Sequence, residues 1–171
     1  MNEMIRAICH RRSCRTFLQS AVEREKLEAI VKTALHAPSA RNRQLWQFTV
    51  VSDGALMEEL RAAVAKALGR EGEYGFYGAP VLILCSNDRE HPYGREDCAC
   101  AMENMMLASD SLELGSVWIN QLTAVCDEEN VRGVLRRLGV PDNHVVYGSA
   151  AIGYPAAVPR EKEIVGKVVW N

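Results

Sequence analysis

The stretch "PVLILCSNDREHPYGREDCACAMENMMLASDSLEL", residues 80–114, decides how this chain is read. Residues 80–86 are apolar almost throughout. A strand that lacks polar alternation is buried on both faces, because successive side chains point to opposite sides of a sheet. Residues 87–95 are polar and rich in turn formers. From 96 to 114 the apolar positions nearly encircle a helical axis, which marks a long, central, buried helix. Gly115 is expected to end it.

Upstream of this stretch, residues 2–10 read as a short helix. In 24–37, Leu27, Ile30, Val31, Ala34 and Leu35 recur at helical spacing until Pro38 forbids continuation. Residues 46–52 carry the strand formers Phe48, Val50 and Val51, and 54–68 return to a helical period. A glycine-rich loop at 71–79 holds Tyr74, Phe76 and Tyr77. Downstream, 116–120 predict a short strand. Residues 127–139 predict a helix with Asp127 as N-cap and Arg136 and Arg137 at its end. Residues 144–155 predict a strand running into a turn, and Lys167–Trp170 a closing strand. No repeat or linker divides the sequence, so 1–171 is expected to form a single domain. Alternating strands and helices call for a sheet covered on both faces, a pattern that a doubly wound fold satisfies equally.

The formal net charge is −2, so an anion would have to be held by a local cluster, and general nucleic-acid binding is disfavoured. Arg6 interrupts the apolar residues at the N-terminus, where a signal sequence would need an unbroken run. The longest apolar run, 79–85, is too short to cross a bilayer. The expected compartment is the cytoplasm, with no membrane partner. Cys9, Cys14, Cys85, Cys98, Cys100 and Cys126 form no CxxC pair and no metal-binding spacing, so reduced thiols and no metal are expected. A thiol redox role is the alternative, with Cys14 beside Arg15 as its best candidate.

Four segments carry more chemistry than packing requires. "RRSCRTF" (11–17) concentrates arginine, and "APSARNRQLWQF" (37–48) places Ser39, Arg41, Asn42, Arg43 and Gln44 in one turn. Two polar, cationic turns could converge on one polar ligand. "GSVWIN" (115–120) offers Trp118 as a flat wall. "IGYPAAVPREK" (152–162) ends a strand and brings Arg160 and Lys162. His10, His36, His91 and His144 are scattered, and none stands out as a general acid.

"RRSCRTF", "APSARNRQLWQF", "NMMLASDSLELGSVWI" and "GSAAIGYPAAVP" resemble, in sequence and order, the signature blocks of the FMN-dependent nitroreductase family. The resemblance runs from about residue 5 into the tail. It implies an α+β fold: a three-layer α/β/α sandwich around a mixed, mostly antiparallel sheet. It also implies a homodimer with C-terminal strand exchange and FMN held in the interface. The implied activity is NAD(P)H oxidation, with NADH or NADPH as donor. Ping-pong hydride transfer would run through flavin N5 to nitroaromatics, quinones or similar electron-poor small molecules.

By the same resemblance, Arg11, Arg12 and Ser13 anchor FMN, and Arg15 reaches the ring edge. Arginine suits a phosphate because its donors are planar and permanently charged. Arg160 or Lys162 completes the phosphate site. Pro38, Ser39 and Asn42 belong to the second block, with Ser39 reaching FMN from the partner subunit and Asn42 meeting the pyrimidine edge. Trp118, Ile119, Asn120 and Gln121 line the ring, the main chain of the last two lying near N5, although Trp118 also reads as packing. No catalytic side chain is implied, because the cofactor performs the chemistry. The chain is short for the family, which implies an open site that Tyr74, Phe76 and Tyr77 either border or merely support. The competing readings are a relative acting on enones, flavins or halogenated aromatics, and a flavin-binding storage or sensor protein without turnover.

Overall fold

In the computed structural model, which describes residues 2–171, the apolar run becomes strand β2 (Val81–Asp88), flanked on both sides by other strands. Leu82, Ile83 and Leu84 are fully buried there. Each such side chain contributes roughly 1.5–3 kcal/mol over its exposed state. β1 (Trp46–Val51) pairs along one side of β2, and β4 (His144–Gly153) along the other. β3 (Gly115–Ile119) pairs on the far side of β4, giving the order β1-β2-β4-β3. All of these ladders are antiparallel, which removes the doubly wound alternative. The expected mixed sheet is corrected to an antiparallel one, since the parallel element is a single isolated bridge between Ser13 and Ser116.

The two faces of the sheet bury different helices. α2 (Arg24–Leu35) and α4 (Gly94–Ser111) cover one face, where Ile30, Ala34, Met102 and Met105 pack on Ile83 and Ile152. α3 (Gly54–Ala67), α5 (Gln121–Val125) and α6 (Glu129–Arg137) cover the other, where Leu60, Val64, Leu122 and Leu135 meet Leu82, Leu84 and Ala151. The result is a three-layer α+β sandwich. α1 (Glu3–His10) lies against α4 and buries none of its own residues, leaving Met4, Ile5 and Ile8 exposed.

Several expectations change at element ends. Asp127 does not cap α6. Its carboxylate binds Arg89 at 2.9 Å and Arg132 at 2.6 Å instead, and Glu128 takes the cap position. Both arginines hold the Asp127 carboxyl below its usual range, the Arg89 hydrogen bond most strongly. α4 ends not at Gly115 but at Leu112, after which Glu113 turns left-handed with φ 62°. α5 was not anticipated, because five residues are too few to show a helical period. Lys167–Trp170 form no strand, because their backbone has no ladder partner within this chain. No helix among the described residues is long and apolar enough to cross a membrane.

Candidate active site

The cationic segment 11–17 is sewn into the sheet end by its backbone. Cys14 N–H donates to Ser116 O at 2.9 Å. Leu18 N–H donates to Tyr154 O at 2.9 Å, and Ala156 N–H to Thr16 O at 3.0 Å. The segment therefore lies between β3 and the chain leaving β4. Gly115 makes this approach possible: a Cβ there would sit 2.6 Å from the Cβ and Sγ of Cys14. The Gly153-Tyr154-Pro155 corner is fixed in turn. The Tyr154 hydroxyl accepts from Lys26 at 2.8 Å and donates to the Glu23 carboxylate at 2.7 Å. The Tyr154 hydrogen bond is the main reason the Glu23 carboxyl lies below its usual range and the Lys26 ammonium above.

This stitching opens a cavity of about 610 Å³ whose lining includes Arg11, Arg12, Ser13, Arg15, Arg160 and Lys162. The structure thus brings the N-terminal block and the tail cations together around one space. The arginines differ in what they have left to offer. Arg12 commits Nη1 to the carbonyls of Cys9, His10 and Arg11, closing the end of α1. Arg11 has a buried Nε with no hydrogen-bond partner, and the Glu103 carboxylate stands off at 3.8 Å. A buried guanidinium donor without an acceptor is costly, and an anion in the cavity would satisfy it.

The turn after α2 is a second polar cluster, set at the N-terminal end of α4. Residues 40–42 form one 3-10 turn, with Arg41 and Asn42 at φ 54° and Gln44 at φ 49°. Ser39 Oγ accepts from Gln44 N–H at 3.2 Å, and Asn42 Oδ1 from the Gln44 side chain at 2.7 Å. Ala40 N–H donates to Asp97 Oδ1 at 2.8 Å, and Asp97 Oδ2 is 2.9 Å from His91 Nε2. Asp97 and His91 are only 4% and 5% exposed. Neither was singled out from the sequence. The link to Ala40 spans 57 positions, and no local pattern announces it.

The third cluster follows β3, whose Ser116–Asn120 stretch carries the chain roughly 13 Å from the cationic segment. Trp118 lies flat over β4 because residue 148 is glycine; a Cβ there would fall 2.9 Å from the indole nitrogen. Ile119 and Gln121 line a space of about 260 Å³ with Arg70, Tyr74 and Tyr77. Asn120 N–H is engaged by the side chain of Gln121 at 3.2 Å, so a ligand accepting there would displace that amide. Tyr74 and Phe76 are buried core residues in edge-on contact, while Tyr77 is exposed with φ 58°. Burial pushes the Tyr74 phenol up to about 12.

The six cysteines are free thiols. Cys14, the best candidate for reactivity, is buried beneath Gly115. Burial, and next the Cys98 thiol, pushes the Cys85 thiol well above its usual range, which disfavours a nucleophilic thiolate.

The model of a family described as the nitroreductase family matches residues 8–154. A protein of Archaeoglobus fulgidus, provisionally named NADH dehydrogenase/NAD(P)H nitroreductase, is 32% identical over 159 residues, covering 91% of this chain and 87% of that one. The crystal structure of a nitroreductase with bound FMN from Bacteroides fragilis superimposes with a TM-score of 0.96 at 36% identity, over 100% of both chains. A nitroreductase with bound FMN from Desulfitobacterium hafniense gives a TM-score of 0.89 at 28% identity, over 100% of this chain and 99% of the other.

Proposed function

This chain belongs to the nitroreductase family and is an FMN-dependent oxidoreductase, and we propose that it oxidises NADH or NADPH at the expense of electron-poor small molecules such as nitroaromatics and quinones. The observation that carries the cofactor assignment is the buried Nε of Arg11, which has no hydrogen-bond partner and only a 3.8 Å ion pair with Glu103, together with a cavity lined by Arg11 and four further cations. That donor set fits a phosphomonoester, which carries roughly −1.5 to −2 charges near neutral pH.

In this reading Arg11, Ser13 and Arg15 bind the phosphate and the near edge of the ring, and Arg160 and Lys162 close the cavity from the tail side. Arg12 shapes the segment by holding the last carbonyls of α1. Trp118 and Ile119 set the floor, and the backbone of Asn120 and Gln121 faces the reacting edge. FMN held there would supply two-electron, ping-pong hydride chemistry at its N5 between NAD(P)H and the acceptor. A cation or strong donor beside the pyrimidine edge favours the reduced ring, and Arg15 and Asn42 serve that role.

Pro38, Ser39 and Asn42 enter from a second copy of the chain. The exposed tail supports a dimer: Ile164, Val165, Val168, Val169 and Trp170 stand in solvent, while β1 leaves one sheet edge open with Val50 exposed. A tail strand crossing to the partner's β1 would satisfy both. The assembly is a single-domain subunit working in the cytoplasm, where its six free thiols stay reduced.

The test is the visible spectrum of the purified protein, followed by steady-state NAD(P)H oxidation with a nitroaromatic and a quinone. A yellow protein with stoichiometric FMN that turns over either acceptor is expected. A colourless protein that takes up no added FMN would sink the assignment. Bound FMN without turnover of any acceptor would favour the storage or sensor reading instead.

A further inference from the structure

We infer that Asp97 and His91 are a buried positioning pair that holds the 39–44 turn in its left-handed shape and thereby sets how tightly FMN is gripped. The inference rests on the reading that this turn meets FMN.

Three non-glycine residues within four positions, Arg41, Asn42 and Gln44, adopt positive φ. Side chains disfavour that region, and it persists only where surrounding contacts over-determine it. The turn's own bonds, Asn42 N–H to Ser39 O at 2.9 Å and Gln44 N–H to Ser39 Oγ at 3.2 Å, curl it but do not place it on the protein. Placement comes from Ala40 N–H, which donates to Asp97 Oδ1 in the first turn of α4. A buried carboxylate is a stronger acceptor than a neutral oxygen, and it is retained only when both oxygens are served. His91 serves the second. For its Nε2 to donate, the proton of a neutral ring must sit on Nε2, which leaves the buried and unpartnered Nδ1 as a lone pair. Ala37 and Trp46, both buried, fix the chain on either side of the turn. The pair thus determines where Ser39 and Asn42 stand, although neither member touches the ligand.

The experiment titrates FMN into flavin-free wild type and the variants Asp97→Ala, Asp97→Asn and His91→Leu, following flavin fluorescence, with circular dichroism and thermal melting as checks of folding. Asp97→Ala is expected to weaken FMN binding by ~10-fold or more. Asp97→Asn still accepts from Ala40 and can donate to His91 Nε2 once the ring proton moves to the buried Nδ1, so it should melt lower yet bind FMN within ~3-fold of wild type. A purely structural role would lower the melting temperature of both Asp97 variants without separating their FMN affinities. Folded Asp97→Ala that binds FMN like wild type overturns the inference.

Should Asp97→Ala fail to fold, His91→Leu and Ala40→Pro decide. The proline deletes the donor while Ser39, at φ −132° and ψ 151°, already has the extended backbone that a residue before proline prefers. Wild-type affinity in both folded variants overturns the pair's role. Wild-type protein that takes up no FMN overturns the flavin reading and the pair's role with it. Wild type that binds FMN alongside indifferent variants overturns the pair's role alone.

Discussion

The cationic segment 11–17 and the tail from residue 157 onward border the same cavity but are held in opposite ways. The first is bonded by backbone to Ser116 and Ala156, and through the adjacent Leu18 to Tyr154, with Cys14 and Phe17 buried in the core. The tail has no regular structure after Pro155, and its apolar side chains stand almost fully in water. The contrast teaches that half of the cavity is built into the folded unit and half is carried by an exposed, unpaired segment, the part that the proposed dimer would dock. A chain does not keep Val165, Val168, Val169 and Trp170 exposed at no cost, since such surface favours association.

Removing residues 164–171 is the harshest way to break this contrast. The truncated protein is expected to run as a monomer in size-exclusion chromatography, with flavin content falling to about a tenth of wild type or less. A truncated dimer with full flavin would show that the tail holds nothing. Arg11→Ala attacks the built half. Loss of a buried charged contact should weaken FMN binding by roughly 10- to 100-fold, whereas Arg160→Ala, on the exposed half, should change it by less than about fivefold. Equal effects in a fluorescence titration would erase the distinction between the halves. Gly115→Ala is the subtlest. Its new methyl meets Cys14 and must push segment 11–17 off β3, which should cost about 1–3 kcal/mol in a denaturant melt. An unchanged midpoint would mean the segment is looser than its bonds suggest.

The sequence reading succeeded where side-chain pattern and burial coincide. Residues 80–86 had to be a strand buried on both faces because no position offered a polar side to water, and the 96–114 helix followed from its encircling apolar residues. Strand direction was not legible, because antiparallel and parallel neighbours both present β2 with apolar surfaces, and register is decided by partners far along the chain. The clustering of Arg11, Arg15, Arg160 and Lys162 followed from a family resemblance that spacing alone did not supply. Asp127 misled as a cap because its real partners, Arg89 and Arg132, arrive through tertiary packing. His91 and Asp97 were invisible for the same reason: an isolated histidine six positions from an aspartate carries no helical or strand signal, and their meaning lies in the turn they reach. Lys167–Trp170 has the composition of a strand but no neighbour in its own chain.

Trp170, at 90% exposure, gives the protein an optical reporter of its own. The other two indoles, Trp46 and Trp118, sit on the sheet, so the water-facing, red-shifted share of the intrinsic emission belongs to the tail. Docking of the tail on a partner subunit, as in the proposed dimer, would therefore shift that share of the emission to the blue, letting docking be timed apart from unfolding without attaching a dye.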